Sequence, residues 1–189
     1  MEDNILIAKK IKLKTGDTLL YKSSGFLGKS IRYFMKRYAK KKYNKKKIDY
    51  PITNHMGTII EFENKLYVSE AVSEGYVIKP IHIYHRLGKS VFVYRAKKEF
   101  TEEEKIKIRD YAFNLSFNQT GYEFLNFIWW IIYITTNFKL FIGGKKDKHV
   151  FCFEAAARCL NASGRNFFEK PYFLTSVDIQ EDDRFERII

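Results

Sequence analysis

An α+β fold with an antiparallel sheet is the class this sequence predicts, on three observations. The patterned segments run as one helix, a block of strands, then further helices, which is the segregated order of α+β domains. Two strand segments, His55 to Phe62 and Lys65 to Val72, are separated only by Glu63-Asn64, and so short a connection joins antiparallel neighbours. Composition supports a packed interior, since 46% of the 189 residues are hydrophobic and 17% aromatic, too apolar for a disordered chain. No internal repeat or Pro/Gly/Ser-rich linker divides residues 1–189, so they read as a single domain.

The elements follow in order. Met1 to Thr15 alternates apolar residues with lysines and lacks the apolar segment and cleavage site of a secretory signal. Thr18 to Tyr21 is a short strand after a Gly16-Asp17 turn. Leu27, Ile31, Phe34, Met35 and Tyr38 recur at helical spacing, which predicts an amphipathic helix over about 26–41. The two strands of the hairpin come next, and Val91 to Ala96 is another strand. Thr101-Glu102-Glu103-Glu104 is a capping box, and the helix it starts carries Ile108, Tyr111, Ala112 and Leu115 on one stripe. A further helix follows Gly121-Tyr122, through the most apolar stretch, Phe124 to Ile134. That stretch is shorter than the roughly 20 residues of a membrane span and is interrupted by Asn126. It reads as a buried helix, with Trp129-Trp130 also suited to a membrane boundary. A helix at Phe151 to Leu160, with Gly164 just beyond its end, precedes a polar tail bearing Asp178, Glu181, Asp182 and Asp183. With neither a signal nor a span in view, a cytoplasmic protein is expected.

Charge is unevenly spread. The net charge is +12, and Lys36, Arg37, Lys40, Lys41, Lys42, Lys45, Lys46 and Lys47 crowd one region. The Lys36–Lys47 region reads as a solvated helix end and loop, or as a surface for an anionic polymer or membrane. No zinc-finger spacing, RNA-binding aromatic signature or glycine-rich phosphate loop marks a nucleic-acid domain.

Both cysteines, Cys152 and Cys159, fall on one predicted helix. They stand about two turns, or roughly 10 Å, apart and cannot pair without strain, which points to a reducing compartment. Cys152 is at the first turn, where unpaired N–H groups and the helix dipole favour a thiolate. The alternative reading is a buried core cysteine. A cysteine nucleophile needs a base and a group to orient it, and the histidines on offer are His55, His82, His85 and His149. If the Glu63-Asn64 turn keeps even parity, paired positions sum to 127, so that Gly57 faces Glu70 and Ile59 faces Val68. His55 and Glu70 then lie diagonally on one sheet face, within reach of each other. Gly57 removes bulk between them and invites close approach by another element, for which the alanines of the Cys152 helix give a thin face. Odd parity would turn Glu70 to the opposite face.

Three stretches carry a resemblance. They are Thr15-Gly16-Asp17-Thr18-Leu19-Leu20 with the Phe26-Leu27-Gly28-Lys29-Ser30-Ile31-Arg32 helix; Asn54-His55-Met56-Gly57-Thr58-Ile59-Ile60 with Val68-Ser69-Glu70-Ala71; and Gly121-Tyr122-Glu123-Phe124 with Phe151-Cys152-Phe153-Glu154. Over about residues 15–180 their order resembles the circularly permuted papain-fold hydrolases, the YiiX-like branch of the NlpC-type superfamily related to lecithin retinol acyltransferase. In that branch histidine comes first, an acidic residue second and cysteine last. The resemblance implies a papain-like fold, an antiparallel sheet or small barrel packed against helices. It implies Cys152 as nucleophile, His55 as general base and acid, Glu70 as the orienting group and Tyr122 at the active-site edge near the oxyanion. It implies no metal or organic cofactor. Two departures bear on substrate class: Phe153 stands where the family has a small polar residue, and the aromatic stretch through Trp129, Trp130 and Phe141 is longer.

The expected activity is hydrolysis of a peptide, another amide or an ester through an acyl-enzyme on Cys152. Other readings stay open. His82 with His85, and His149 with Cys152, have a zinc-like spacing, although residues three apart on a strand face opposite ways. His149 with Asp147 is another base pair. The chain also fits a non-catalytic binding module, or a membrane-associated acyl hydrolase or acyltransferase whose Trp129-Trp130 segment and lysine run face lipid.

Overall fold

The structure is a computed structural model and describes residues 12–23, 26–84, 90–136, 138 and 148–189. Its strands are β1 (Thr18–Tyr21), β2 (His55–Phe62), β3 (Lys65–Val72), β4 (Gly75–Pro80), β5 (Val91–Ala96), β6 (Gly121–Tyr122), β7 (His149–Val150) and β8 (Phe185–Arg187). The helices are α1 (Phe26–Lys42), α2 (Glu102–Phe117), α3 (Phe124–Thr136), α4 (Cys152–Asn161) and α5 (Ser176–Glu181). Six strands make one antiparallel sheet in the order β4-β3-β2-β1-β5-β8, and β6 and β7 form a separate parallel pair. The molecule is therefore α+β with an antiparallel sheet, as the element order predicts.

The hairpin has the parity on which the site reading depended. Thr58 pairs with Ser69 and Ile59 with Val68. Glu63 and Asn64 have φ of 48° and 57°, so both turn residues are left-handed, as in a two-residue turn that follows the strand twist. At the sheet's other side Asp17 is buried and takes two bonds from Arg95, at 2.8 and 2.6 Å, fixing the turn before β1 against β5.

Alternation divides the sheet into two faces. Leu20, Met56, Ile60, Ala71, Phe92 and Tyr94 join the larger core with residues of α1, α2, α3 and α4. Leu19, Ile59, Val68, Val91 and Val93 build a smaller cluster, flanked by Tyr21, Tyr84, Ile188 and Ile189. The tail expected to be merely polar supplies α5 and β8. Thr175 and Asp178 form a second capping box, and β8 pairs with β5.

One expectation is corrected. Helix α4 does not approach over Gly57. Its alanines lie in the larger core with Met56 and Ile60, on the opposite sheet face. A methyl group at Gly57 would come within 2.7 Å of Val68 Cγ1 and 3.3 Å of Glu70 Cβ. The missing side chain makes room for the neighbouring strand, and so for Glu70, rather than for a helix.

Candidate active site

His55 begins β2 beside the junction of β1 and α1. Its preceding residue, Asn54, is buried and accepts hydrogen bonds from the Ser23 N–H at 3.0 Å and from Arg32 Nη1 at 2.9 Å. Arg32 also donates to the Ser23 carbonyl at 2.7 Å. A Cβ at Gly28 would meet Ser23 O at 2.8 Å and Asn54 Nδ2 at 3.1 Å, so glycine lets this clamp close. The start of β2 is thereby held against the start of α1.

At the very start of β2, His55 Nε2 lies 3.0 Å from Glu70 Oε2. Glu70 is 2% exposed and has two further partners that the sequence did not reveal. Tyr21 donates to Oε2 at 2.9 Å, and the Tyr84 hydroxyl donates to Oε1. Burial by itself would raise the Glu70 carboxyl, but the bonds and charge from His55, then the Tyr84 and Tyr21 hydroxyls, bring it below the usual value. Both phenols are pushed up, first by burial and then by the charge of Glu70, and so stay neutral donors. The Tyr21 ring also lies 4.6 Å from the imidazole centroid. Tyr21 was detectable as the residue of β1 opposite His55, but only once β1 is known to pair with β2. Tyr84 follows a turn of 3₁₀-helix and carried no sequence signal.

Cys152 opens α4. The Ala155 N–H bond to Phe151 O, at 2.9 Å, is the first turn of the helix, so the N–H groups of Cys152, Phe153 and Glu154 precede it. Nε2 of His55 faces Glu70, and Cys152 interacts with the same imidazole. Burial works against charge on His55, yet the charge and hydrogen bond of Cys152, together with those of Glu70, outweigh it and raise the imidazole to about 10. The three residues proposed from the sequence are thus brought together, with Cys152 only 2% exposed. The cluster joins a first-turn thiol, an imidazole raised toward its charged form and a carboxyl held below its usual value.

No protein-family model matches this chain, and no curated protein matches it. Among solved structures it is similar to that of the metalloprotein YiiX from Escherichia coli O157:H7, with a TM-score of 0.60 and 15% identity, covering 93% of this chain and 96% of that one. The chain has a YiiX-like fold. At that identity the similarity speaks to the fold alone.

Within this YiiX-like fold the remaining candidates separate. Tyr122 is on β6, paired with Val150 two residues before Cys152. Burial first, then the charge of Cys152, holds its hydroxyl well above the usual value, so it is a neutral phenol close to the thiol. His149 is exposed on β7, and its partner Asp147 lies outside the described residues. His82 is exposed and His85 lies outside the described residues. No three His, Cys, Asp or Glu side chains among the described residues converge as a metal-ligand set. Phe153 does not line a cleft. It is fully buried and stacks on Trp130, with ring centroids 4.9 Å apart. Trp130 is itself 1% exposed and donates to the Leu174 carbonyl at 2.9 Å, so it is a core residue and faces no lipid. Phe141 lies outside the described residues. Among the described residues no helix is long and apolar enough to cross a membrane.

Proposed function

We propose that this chain is a cysteine-dependent hydrolase of the permuted papain-like kind, a single domain that cleaves a peptide, another amide or an ester through an acyl-enzyme on Cys152. The reading rests on His55, whose imidazole lies 3.0 Å from the buried Glu70 carboxylate and interacts electrostatically with the thiol that opens α4. The Cys152 thiolate attacks the carbonyl carbon and an S–C bond forms. The carbonyl oxygen takes up the negative charge against the first-turn N–H groups of α4, with the neutral Tyr122 hydroxyl as a further donor. His55 gives its proton to the leaving nitrogen or oxygen, and that bond breaks. Water then loses a proton to His55 and attacks the thioester, releasing the acid and restoring the thiolate–imidazolium pair. Glu70, held by two tyrosines, fixes the ring and offsets its charge. These steps call on no metal or organic cofactor. The metalloprotein description belongs to the YiiX neighbour. Two free cysteines on one helix suit a reducing compartment such as the cytoplasm.

The test is to incubate the protein with a mixed peptide and lipid extract and to look for an acyl adduct on Cys152 by mass spectrometry. The adduct should appear in the native protein and be absent from Cys152→Ala. Iodoacetamide should label Cys152 ahead of Cys159, because the Cys159 thiol is bonded to the Tyr76 hydroxyl at 3.2 Å and pushed up by burial to about 11. Labelling no faster than that of a free cysteine peptide, and indifferent to His55→Ala, would remove the enzyme reading in favour of a binding module.

A further inference from the structure

Helix α3 contains no charged residue, and among the described residues only one of its faces packs into the larger core. Trp130, Tyr133 and Ile134 are buried in the larger core. Phe124, Leu125 and Ile128 are 56%, 60% and 52% exposed, and they form a stripe near the start of the helix. A stripe of large apolar side chains left in water is costly unless something covers it.

The neighbouring helix supplies the complementary chemistry. Helix α1 packs beside α3, with the Tyr38 and Tyr133 hydroxyls 2.9 Å apart. It carries no acidic residue, and its exposed positions include Phe26, Tyr33, Lys36, Arg37, Lys40 and Lys41. Between the two helices lies a groove of about 860 Å³, whose lining includes Arg37, Lys40, Lys41 and Lys42 from α1 and Ile134 and Thr135 from α3.

Not all of the lysine run is available to a partner. Lys42 pairs with Asp178 at 2.6 Å, and Lys45 with Glu181 at 2.7 Å. These two positions bind the run to α5 and serve the fold. Lys36, Arg37, Lys40 and Lys41 pair with no carboxylate among the described residues; Arg37 instead lies over the Tyr33 ring, 5.9 Å from its centroid.

We propose that the α1–α3 face is a docking surface for a membrane rich in anionic phospholipid. Phosphate headgroups match the four cations of α1, while Leu125, Ile128 and Phe124 enter the boundary between headgroups and acyl chains. A soluble polyanion would satisfy the cations and leave the apolar stripe in water. An apolar protein partner would cover the stripe and strand the cations. A bilayer surface answers both. The two helices also leave from the candidate site, since α1 begins five residues after Tyr21 and α3 two residues after Tyr122. Docking by this face would hold that site close to the membrane, whichever bond it cleaves. The surface does not rest on the chemistry of Cys152.

The experiment is flotation of the full chain with phosphatidylcholine vesicles, with and without phosphatidylglycerol, at low and high salt. The native protein should float with the phosphatidylglycerol vesicles only, and less at high salt. Replacing Lys36, Arg37, Lys40 and Lys41 by Gln should weaken binding at least about tenfold. The pair Leu125→Ser and Ile128→Ser should weaken it as well, while Lys97→Gln with Lys98→Gln, on another surface, should not. Circular dichroism confirms that each variant is folded, and Cys152→Ala should bind vesicles like the native protein. Three results would overturn the proposal: no binding of the native protein to either vesicle, full binding by the charge variant, or binding unaffected by the Leu125 and Ile128 changes and abolished by heparin or RNA. The last would assign the face to a soluble polyanion.

Discussion

At the scale of single residues, Glu70 is defined by what surrounds it more than by its own type. One carboxylate takes His55 and Tyr21 on one oxygen and Tyr84 on the other. The arrangement keeps Glu70 ionised in a buried position and biases His55 toward its charged form. The sign of the pH effect follows. The His55 proton is present below its raised value of about 10 and is lost as pH rises through it. In the proposed mechanism that proton goes to the leaving group, so the rate of acyl transfer should fall on the alkaline side near pH 10. Glu70→Gln removes a charge that raises the imidazole, so the alkaline limb should move to lower pH. The rate should drop by roughly a hundredfold or more, yet by less than for His55→Ala, because an orienting group usually costs less than the base. A pH–rate profile of the three proteins decides the matter. An unmoved limb in Glu70→Gln would show that the carboxylate does not act through His55.

At the scale of elements, two features carry measurable stability. Glu154 lies 1% exposed within α4, and its carboxylate meets Arg158 Nη2 at 2.5 Å. Burial raises the Glu154 carboxyl despite that guanidinium, so the charge depends on its partner. Arg158→Ala should cost about 2–4 kcal/mol by leaving the carboxylate unpaired, and adding Glu154→Gln should recover part of the loss. Urea unfolding of the single and double variants measures both. The β2–β3 turn offers the opposite case. Glu63 occupies a left-handed conformation that Asn or Gly tolerates better. Glu63→Asn with Asn64→Gly should therefore raise the melting temperature by about 2–4 °C, without shifting the register or the activity.

Across the whole molecule, what the sequence disclosed depended on how local each signal was. Helices α1 and α2 and the β2–β3 hairpin are written in short-range patterns: a helical stripe, a capping box and two alternating runs around a tight turn. The His55–Glu70 pair was legible for the same reason, because both residues lie in one hairpin. Strands β6, β7 and β8 have two or three residues each and owe their existence to partners far along the chain, so no local pattern announces them. Helix α5 was missed despite a readable signal, the Thr175 to Asp178 capping box. Tyr21 and Tyr84 reach Glu70 through nonlocal packing, and the side of the sheet taken by α4 also depends on the assembled core. Trp130 and Phe153 show the same limit, since an aromatic residue in a row of aromatic residues does not say which way it faces.

The wide sequence gap between Glu70 and Cys152 has a kinetic consequence. The proposed base His55 and its carboxylate partner Glu70 share a hairpin, whose contacts are short-range and able to form early. The thiol arrives only when α4 settles on the sheet, a step requiring closure of a long loop. Until then Cys152 has no imidazole beside it, and under the proposed mechanism a nascent or half-folded chain carries no armed nucleophile. Refolding followed by brief pulses of iodoacetamide should reveal this order. The His55-dependent gain in Cys152 alkylation should appear with the last folding phase, after the β-sheet signal has formed, and an earlier gain would mean that α4 docks before the hairpin is complete.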